Sequence, residues 1–326
     1  MLFAPGGGNV STALVTGAAG FIGSHLVDEC LARGWQVRAI DSLTPYYDPT
    51  IKRGNAEQLA LHPGCEYIEG DLIEALPGVL EGVDFVFHLA AQAGVRQSWG
   101  NEFDIYTHLN ITTVQRLFEA AKDLPLQRLL FASSSSVYGD AEALPTPEDS
   151  ILRPVSPYGA TKAAGEHLAH LYWRNYALPV VSVRYFTVYG PRQRPDMAFS
   201  RAITAALAGE EFTLYGNGGQ TRDFTFVEDA VAGTLAAAER GTPGRAYNLG
   251  GGSPVSMCEV IEEIDRLTGP LRVQRATRQR GDARDTSADI SRAQSELGYA
   301  PRRQLRDGLR AQVAWQRAAR EPAGVG

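Results

Sequence analysis

Tyr158 and Lys162 stand four residues apart in Ser156-Pro157-Tyr158-Gly159-Ala160-Thr161-Lys162, so on a helix they share one face. Pro157 suits the first turn of such a helix, and Ser156 before it can cap the exposed N–H groups. An ammonium beside a phenol favours the phenolate and draws a tyrosine pKa down from about 10. Tyr158 is therefore a candidate acid and base near neutral pH. The same spacing also occurs on ordinary helix faces, so the pair needs a setting. Ser133-Ser134-Ser135-Ser136 follows the apolar run Leu129 to Ser133 and precedes Val137-Tyr138-Gly139. A hydroxyl at the carboxyl end of a strand sits where a substrate can lie; a serine-rich loop has the same composition. Arg192, Arg194, Arg201, Arg222 and Arg280 stand near glycines and prolines. Forked guanidinium donors suit a diphosphate, although most surface arginines are simply solvated.

The elements that must hold these groups begin at Thr12 to Thr16, a short apolar run of strand type. Gly17-Ala18-Ala19-Gly20-Phe21-Ile22-Gly23 follows, then a helical pattern through Arg33. Strand, glycine turn and helix make the phosphate-binding start of a dinucleotide fold. Gly17 allows the tight turn, Gly20 the close approach of a pyrophosphate, and Gly23 close helix packing. Gln36 to Ile40 reads as the second strand and ends in Asp41, where an acidic side chain binds adenosine ribose hydroxyls or caps a turn. A carboxylate there repels a 2′-phosphate, which favours NAD over NADP. Strands follow at Glu66 to Glu69, before Gly70-Asp71-Leu72, and at Asp84 to Leu89, before Ala90-Ala91. Val180 to Arg184 is a further strand; His88 reads as a packed strand histidine. Helical patterns run over Tyr106 to Lys122, Val227 to Arg240, Ser256 to Thr268 and Gln304 to Ala319. Alternating strands and helices predict an α/β fold: a Rossmann, doubly wound parallel sheet with ligands at the strands' carboxyl ends. The predicted division is a dinucleotide-binding domain over 1–187, rejoined near 226–250. A smaller C-terminal α/β lobe takes 188–225 and 251–326.

The bulk properties narrow the partners. With 326 residues, 44% apolar and 21% charged, the chain is of globular type. A net charge of −6 argues against nucleic acid as the main partner. No apolar stretch nears the ~20 residues that span a membrane, and no secretory signal is apparent. Cys30, Cys65 and Cys258 give neither metal spacing nor a disulfide framework. They read as buried small apolar residues in a reducing cytoplasm.

Together these motifs resemble the extended short-chain dehydrogenase/reductases of the NAD-dependent epimerase/dehydratase family. The resemblance is carried by Thr16 to Gly23, Asp41, Gly70 to Leu72, His88 to Ala91, Ser133 to Gly139 and Tyr158 to Lys162. Tyr185 to Pro191 and Arg222-Asp223-Phe224 continue it. Leu43 to Asp48, Ala91 to Ser98 and Arg194 to Ala198 are similar to UDP-glucuronate 4-epimerases. The resemblance implies NAD held by Gly17, Gly20, Phe21, Ile22, Gly23, Asp41, Asp71, Leu72, Leu89, Ala90, Ala91 and Tyr185, with Tyr158 and Lys162 at the nicotinamide. It makes Ser134 the third catalytic residue. It implies a UDP-sugar bound by Arg96, Ser135, Ser136, Thr187, Arg192, Arg194, Tyr215, Gln220, Arg222 and Arg280. Related 4,6-dehydratases carry Asp-Glu, and related decarboxylases a Glu, where this chain has Ser135 and Ser136; two hydroxyls favour neither elimination nor loss of carbon dioxide. Related epimerases often place an aromatic at Arg192 and an arginine at Gln279. A homodimer formed through paired helices is expected, and no metal. The rival expectations are a UDP-glucose or N-acetyl-sugar 4-epimerase, a decarboxylase, or a non-catalytic NAD-binding regulator.

Overall fold

The computed structural model describes residues 10–277, 281 and 283–320. The glycine leader, Gly6 to Gly8, and Arg278-Gln279-Arg280 lie outside the described residues. In chain order the strands are β1 (Thr12–Thr16), β2 (Gln36–Asp41), β3 (Cys65–Glu69), β4 (Phe85–His88), β5 (Arg128–Ser134) and β6 (Val180–Tyr185). They continue as β7 (Thr187–Tyr189), β8 (Glu211–Tyr215), β9 (Thr221–Phe226), β10 (Ala246–Leu249), β11 (Pro254–Ser256) and β12 (Arg272–Ala276). Seven strands form one sheet in the order β10-β6-β5-β4-β1-β2-β3, every pairing parallel.

The side-chain pattern explains the layering. β4 and β6 are buried at every position, as strands covered on both faces must be. Ala13 and Val15 point into a core closed by the helices Phe21–Ala32 and Val227–Arg240. Leu14, between them, points into the opposite core, with Leu117, Phe118 and Tyr172 of the helices Thr113–Ala121 and Pro157–Tyr176. Connections leave β1 and β4 in opposite directions, so a crevice opens at their carboxyl ends. β11, β9 and β7 form a three-stranded sheet, and β12 pairs with β8. The helices Ala198–Ala208, Met257–Thr268 and Leu305–Ala318 pack with one another beside these small sheets.

Two local features differ from the pattern read in the sequence. The helical stretch from Tyr106 is not uniform: Phe103–Thr107 and Thr113–Ala121 are α-helical, with a π turn at His108–Thr112 between them. The wider turn carries Asn110 inward. Its Nδ2 donates to Gln92 O at 2.9 Å and to Thr161 Oγ1 at 3.0 Å, and its Oδ1 accepts from Gln92 N at 2.8 Å. Those bonds fix the segment after β4 against the helix that carries Tyr158. The cysteines also differ: Cys30 is buried, but Cys65 and Cys258 are half-buried, and all three are free thiols. Among the described residues no helix is long and apolar enough to cross a membrane, and no group of His, Cys, Asp or Glu is placed to hold a metal.

Candidate active site

Two cavities meet at Tyr46 and Arg194, and Tyr158 lines the first of them. The first runs along the carboxyl ends of β1, β2, β4 and β5, and Gly17, Gly20, Phe21, Ile22, Gly23, Asp71, Leu72, Leu89, Ala90, Ala91 and Tyr185 all line it. Gly17, Gly20, Gly23, Gly70 and Ala90, Ala91, Ala93 and Ala132 bring main chain to its wall. Gly17 has φ +70°, and a Cβ there would stand 2.8 Å from Ala90 N. A Cβ on Gly23 would stand 2.1 Å from Gly17 O, so the turn and helix can approach only through glycine. No side chain caps the helix Phe21–Ala32, whose N-terminus opens on this cavity. Asp41 is buried; it accepts from Ala19 N at 3.1 Å and Leu43 N at 2.9 Å, so it braces the turn and also lines the cavity. Burial raises its pKa, while nearby Lys52 and the backbone donors pull the other way. Asp71 caps the short helix Leu72–Ala75 through Ile73 N at 2.7 Å.

Tyr158 and Lys162 lie on one face of Pro157–Tyr176, which Ser156 caps by accepting from Gly159 N at 3.1 Å. Burial lowers the Lys162 pKa to about 8, opposed by the charge of Glu166. Its ammonium donates to Ala132 O at 2.8 Å. Burial raises the Tyr158 pKa; a hydrogen bond from Ser134 and the charge of Arg194 lower it. The sequence pairs the phenol with Lys162; the ammonium is turned onto the β5 main chain, and the charge of Arg194 also favours the phenolate. Ser134 ends β5. Its oxygen accepts from Ser136 N at 3.1 Å and stands 3.1 Å from Ser136 Oγ, which pins the serine turn.

Beneath this group lies a buried ionic network. Glu166 accepts from Ser133 Oγ at 2.5 Å, Arg184 Nε at 2.9 Å and Arg184 Nη2 at 2.6 Å. Arg184 Nη1 donates to Tyr138 Oη at 2.7 Å and to Glu148 O at 2.8 Å; Tyr138 Oη donates to Asn248 Oδ1 at 2.7 Å. Glu166 and Arg184 were not singled out in the sequence. The signal was present: Glu166 follows Lys162 by four residues, on the same helix face. His88 is a packed strand residue as expected; Nδ1 lies 2.8 Å from Thr16 Oγ1, and burial lowers its pKa to about 3.

The second cavity adjoins the first, and Arg194 lines both. Ser135, Ser136, Thr187, Arg96, Tyr215, Gln220 and Arg222 line it, with Arg201, one of the arginines the sequence offered for a diphosphate, and with Asp196 and Phe212, which the sequence did not place there. The Arg96 guanidinium lies 4.4 Å from the Tyr215 ring centre, so one face of that ring is covered. Arg222 is braced by the carbonyls of Thr221, Ala283 and Arg284 at 2.8, 2.5 and 2.6 Å. Thr44, Tyr46, Tyr47 and Lys52 reach the first cavity from the segment after Asp41.

Arg192 is a correction. Its backbone has φ +60°, and Nη2 meets Asp28 Oδ2 on the first helix at 2.6 Å. His25 Nε2 donates to the neighbouring Pro191 O at 2.9 Å and holds the turn there. The turn sends Arg192 outward and returns Arg194 inward, so Arg192 lines neither cavity. Arg280 lies outside the described residues.

Residues 13–250 match the NAD dependent epimerase/dehydratase family. The uncharacterized UDP-glucose epimerase YtcB of Bacillus subtilis (strain 168) is 43% identical over 93% of this chain and 96% of its own length. A UDP-glucuronate 4-epimerase of Thermodesulfobacterium geofontis is 37% identical over 93% of this chain and 95% of its own. The crystal structure of UDP-glucuronic acid 4-epimerase from Bacillus cereus, in complex with UDP-glucuronic acid and NAD, superposes with a TM-score of 0.91 at 41% identity, covering 94% of this chain and 99% of that one.

Proposed function

The chain belongs to the NAD-dependent epimerase/dehydratase family, and from that premise we propose that it is an NAD-dependent UDP-glucuronate 4-epimerase. It interconverts UDP-glucuronate and UDP-galacturonate. One observation carries this: Tyr158 and Lys162 line a glycine-rich cleft that shares Arg194 with an adjoining cavity rich in arginine and hydroxyl groups. The cleft fits the cofactor, since glycine is required at 17 and 23 and a buried carboxylate stands at the adenosine end.

Bound NAD supplies an acceptor for the hydrogen at C4 and returns it to the opposite face. The chain's own residues move the proton. Tyr158 takes it from the C4 hydroxyl and returns it to the C4 oxygen, which Ser134 hydrogen-bonds. Arg194 stabilises the phenolate against the cost of burial. The 4-keto sugar is a β-keto acid, which loses carbon dioxide when its C5–C6 bond lines up with the carbonyl π system. Ser135, Ser136, Thr187 and Arg194 hold the carboxylate out of that line. Arg96, Arg222, Tyr215 and Gln220 serve the UDP moiety.

The hydroxyl groups at the hexose end accept a hydroxymethyl group as readily as a carboxylate, so UDP-glucose is the second substrate to weigh. Purified protein given each sugar nucleotide, with UDP-galacturonate, UDP-galactose and carbon dioxide quantified, decides between them. Mainly UDP-galacturonate is expected; a higher kcat/KM for UDP-glucose, or carbon dioxide as the main product, overturns the assignment. The division into an NAD-binding domain and a smaller sugar-nucleotide lobe, a homodimer formed through the helices Thr113–Ala121 and Pro157–Tyr176, and a cytoplasmic location complete the proposal. Exposed Leu171 and Tyr176 and three free thiols support its last two parts.

A further inference from the structure

We propose that Asp196 and Tyr46 are positioning residues that aim Arg194 at the sugar, an assignment that rests on the epimerase function above. Arg194 Nε donates to Asp196 Oδ1 at 2.9 Å and Arg194 Nη2 to Asp196 Oδ2 at 3.0 Å. Two parallel bonds to one carboxylate fix the plane of the guanidinium, not merely its distance. Nη1 is left without a protein partner among the described residues, on a side chain that lines both cavities.

Asp196 is itself held from across the cleft. Tyr46 Oη reaches Asp196 Oδ2 at 3.4 Å, and the guanidinium lies 5.7 Å from the Tyr46 ring centre. Tyr46 belongs to the segment that starts at Asp41, so one end of that segment lies against the adenosine site and the other against the sugar site.

Gly94 gives an independent sign that the Tyr46 hydroxyl is meant to be there. It has φ +101°, and a Cβ on it would stand 2.0 Å from Tyr46 Oη. Tyr106 Oη holds that stretch by donating to Ala93 O at 2.9 Å and Gly94 O at 2.8 Å, while the Tyr106 ring meets Tyr158 edge-on at 6.4 Å. The slot for Tyr46 and the wall around Tyr158 are thus one construction.

An arginine freed from this fork lets the carboxylate of the 4-keto sugar swing into line with the C4 carbonyl. The C5–C6 bond then breaks and its electrons form the enolate. Carbon dioxide leaves, and the proton carried by Tyr158 returns to C5, giving a UDP-4-keto-pentose whose oxidation at C4 has not been reversed. Misaiming is therefore visible as a change of product.

The test compares the Asp196→Asn, Asp196→Glu and Tyr46→Phe holoenzymes with wild type on UDP-glucuronate. UDP-galacturonate, carbon dioxide, bound NAD and Tm are measured together. Asp196→Asn should keep Tm and NAD, lose about tenfold in kcat, and raise the carbon dioxide share of turnover about fivefold. Tyr46→Phe should shift the same way by about twofold, and Asp196→Glu should recover part of the loss. An unchanged kcat and product share in Asp196→Asn, or a fall in both products in proportion, overturns the proposal. Failure of the underlying function shows separately, as a wild type that makes no UDP-galacturonate. The positioning role is then decided by the kcat of the variants on UDP-glucose, and a wild type that turns over neither sugar overturns both.

Discussion

The cofactor cleft and the sugar cavity share Tyr46 and Arg194 but are built by different means. The cleft depends on main chain at its floor: strand ends, two glycines that admit no Cβ, and the carbonyl of Ala132 that receives Lys162. Its shape follows once the strands pair, because backbone positions are set by register. The cavity is built from long side chains on turns, and there direction decides everything. Arg192 and Arg194 are two residues apart, yet one reaches Asp28 outside and the other Asp196 on the cavity wall. A cleft made of backbone tolerates no change of side-chain size at its glycines, whereas a cavity made of arginines depends on what each arginine is tied to.

Four substitutions sharpen or break that contrast. Tyr158→Phe keeps the fold and both cavities and removes the one group that moves the proton; kcat should fall by about 10³-fold, with NAD content unchanged. Gly23→Ala places a methyl group 2.1 Å from Gly17 O, so retained NAD should be lost and stability should drop by about 2 kcal/mol, checked by cofactor release and thermal unfolding. Glu166→Gln removes the charge that opposes the depression of the Lys162 pKa. That pKa already lies at about 8, below the ordinary 10.5, so the lysine loses its proton at still lower pH. The alkaline limb of kcat/KM should move down by about one pH unit, while unfolding shows the cost of leaving Arg184 buried and unpaired. Arg192→Gln should do least. Its pair with Asp28 is partly exposed, so stability changes by less than about 1 kcal/mol and the ratio of kcat/KM for UDP-glucuronate over UDP-glucose stays within about twofold. A large change in that ratio would break the contrast, since it would give a distant side chain a say in sugar choice.

The same contrast explains what could be read in advance. Gly17, Gly23, Asp41 and the Tyr158–Lys162 spacing were legible because each rests on a local rule of turn, strand end or helix face. Ser134, Ser135, Ser136 and Thr187 were legible because they end or directly follow β5, or begin β7, close behind strands the apolar pattern reveals. Arg192 was misread because a left-handed backbone at one residue reverses where the next side chains go. Four-residue spacing puts Lys162 on the right face but does not say that its ammonium reaches Ala132 O. Asn110 gave no local signal, and Asp196 and Tyr46 stood only within stretches of family resemblance, with no role assigned to either. They matter only through contacts across 51, 2 and 150 residues of chain, the second of which looks like any exposed arginine–aspartate pair until Tyr46 closes over it.

The most direct test follows one hydrogen atom. UDP-glucuronate labelled with deuterium at C4 is converted by the holoenzyme without added NAD, and the product is read by mass and NMR. UDP-galacturonate that keeps the label at C4, with the configuration there inverted, is the predicted result. Loss of the label to solvent, or inversion at a carbon other than C4, would contradict it.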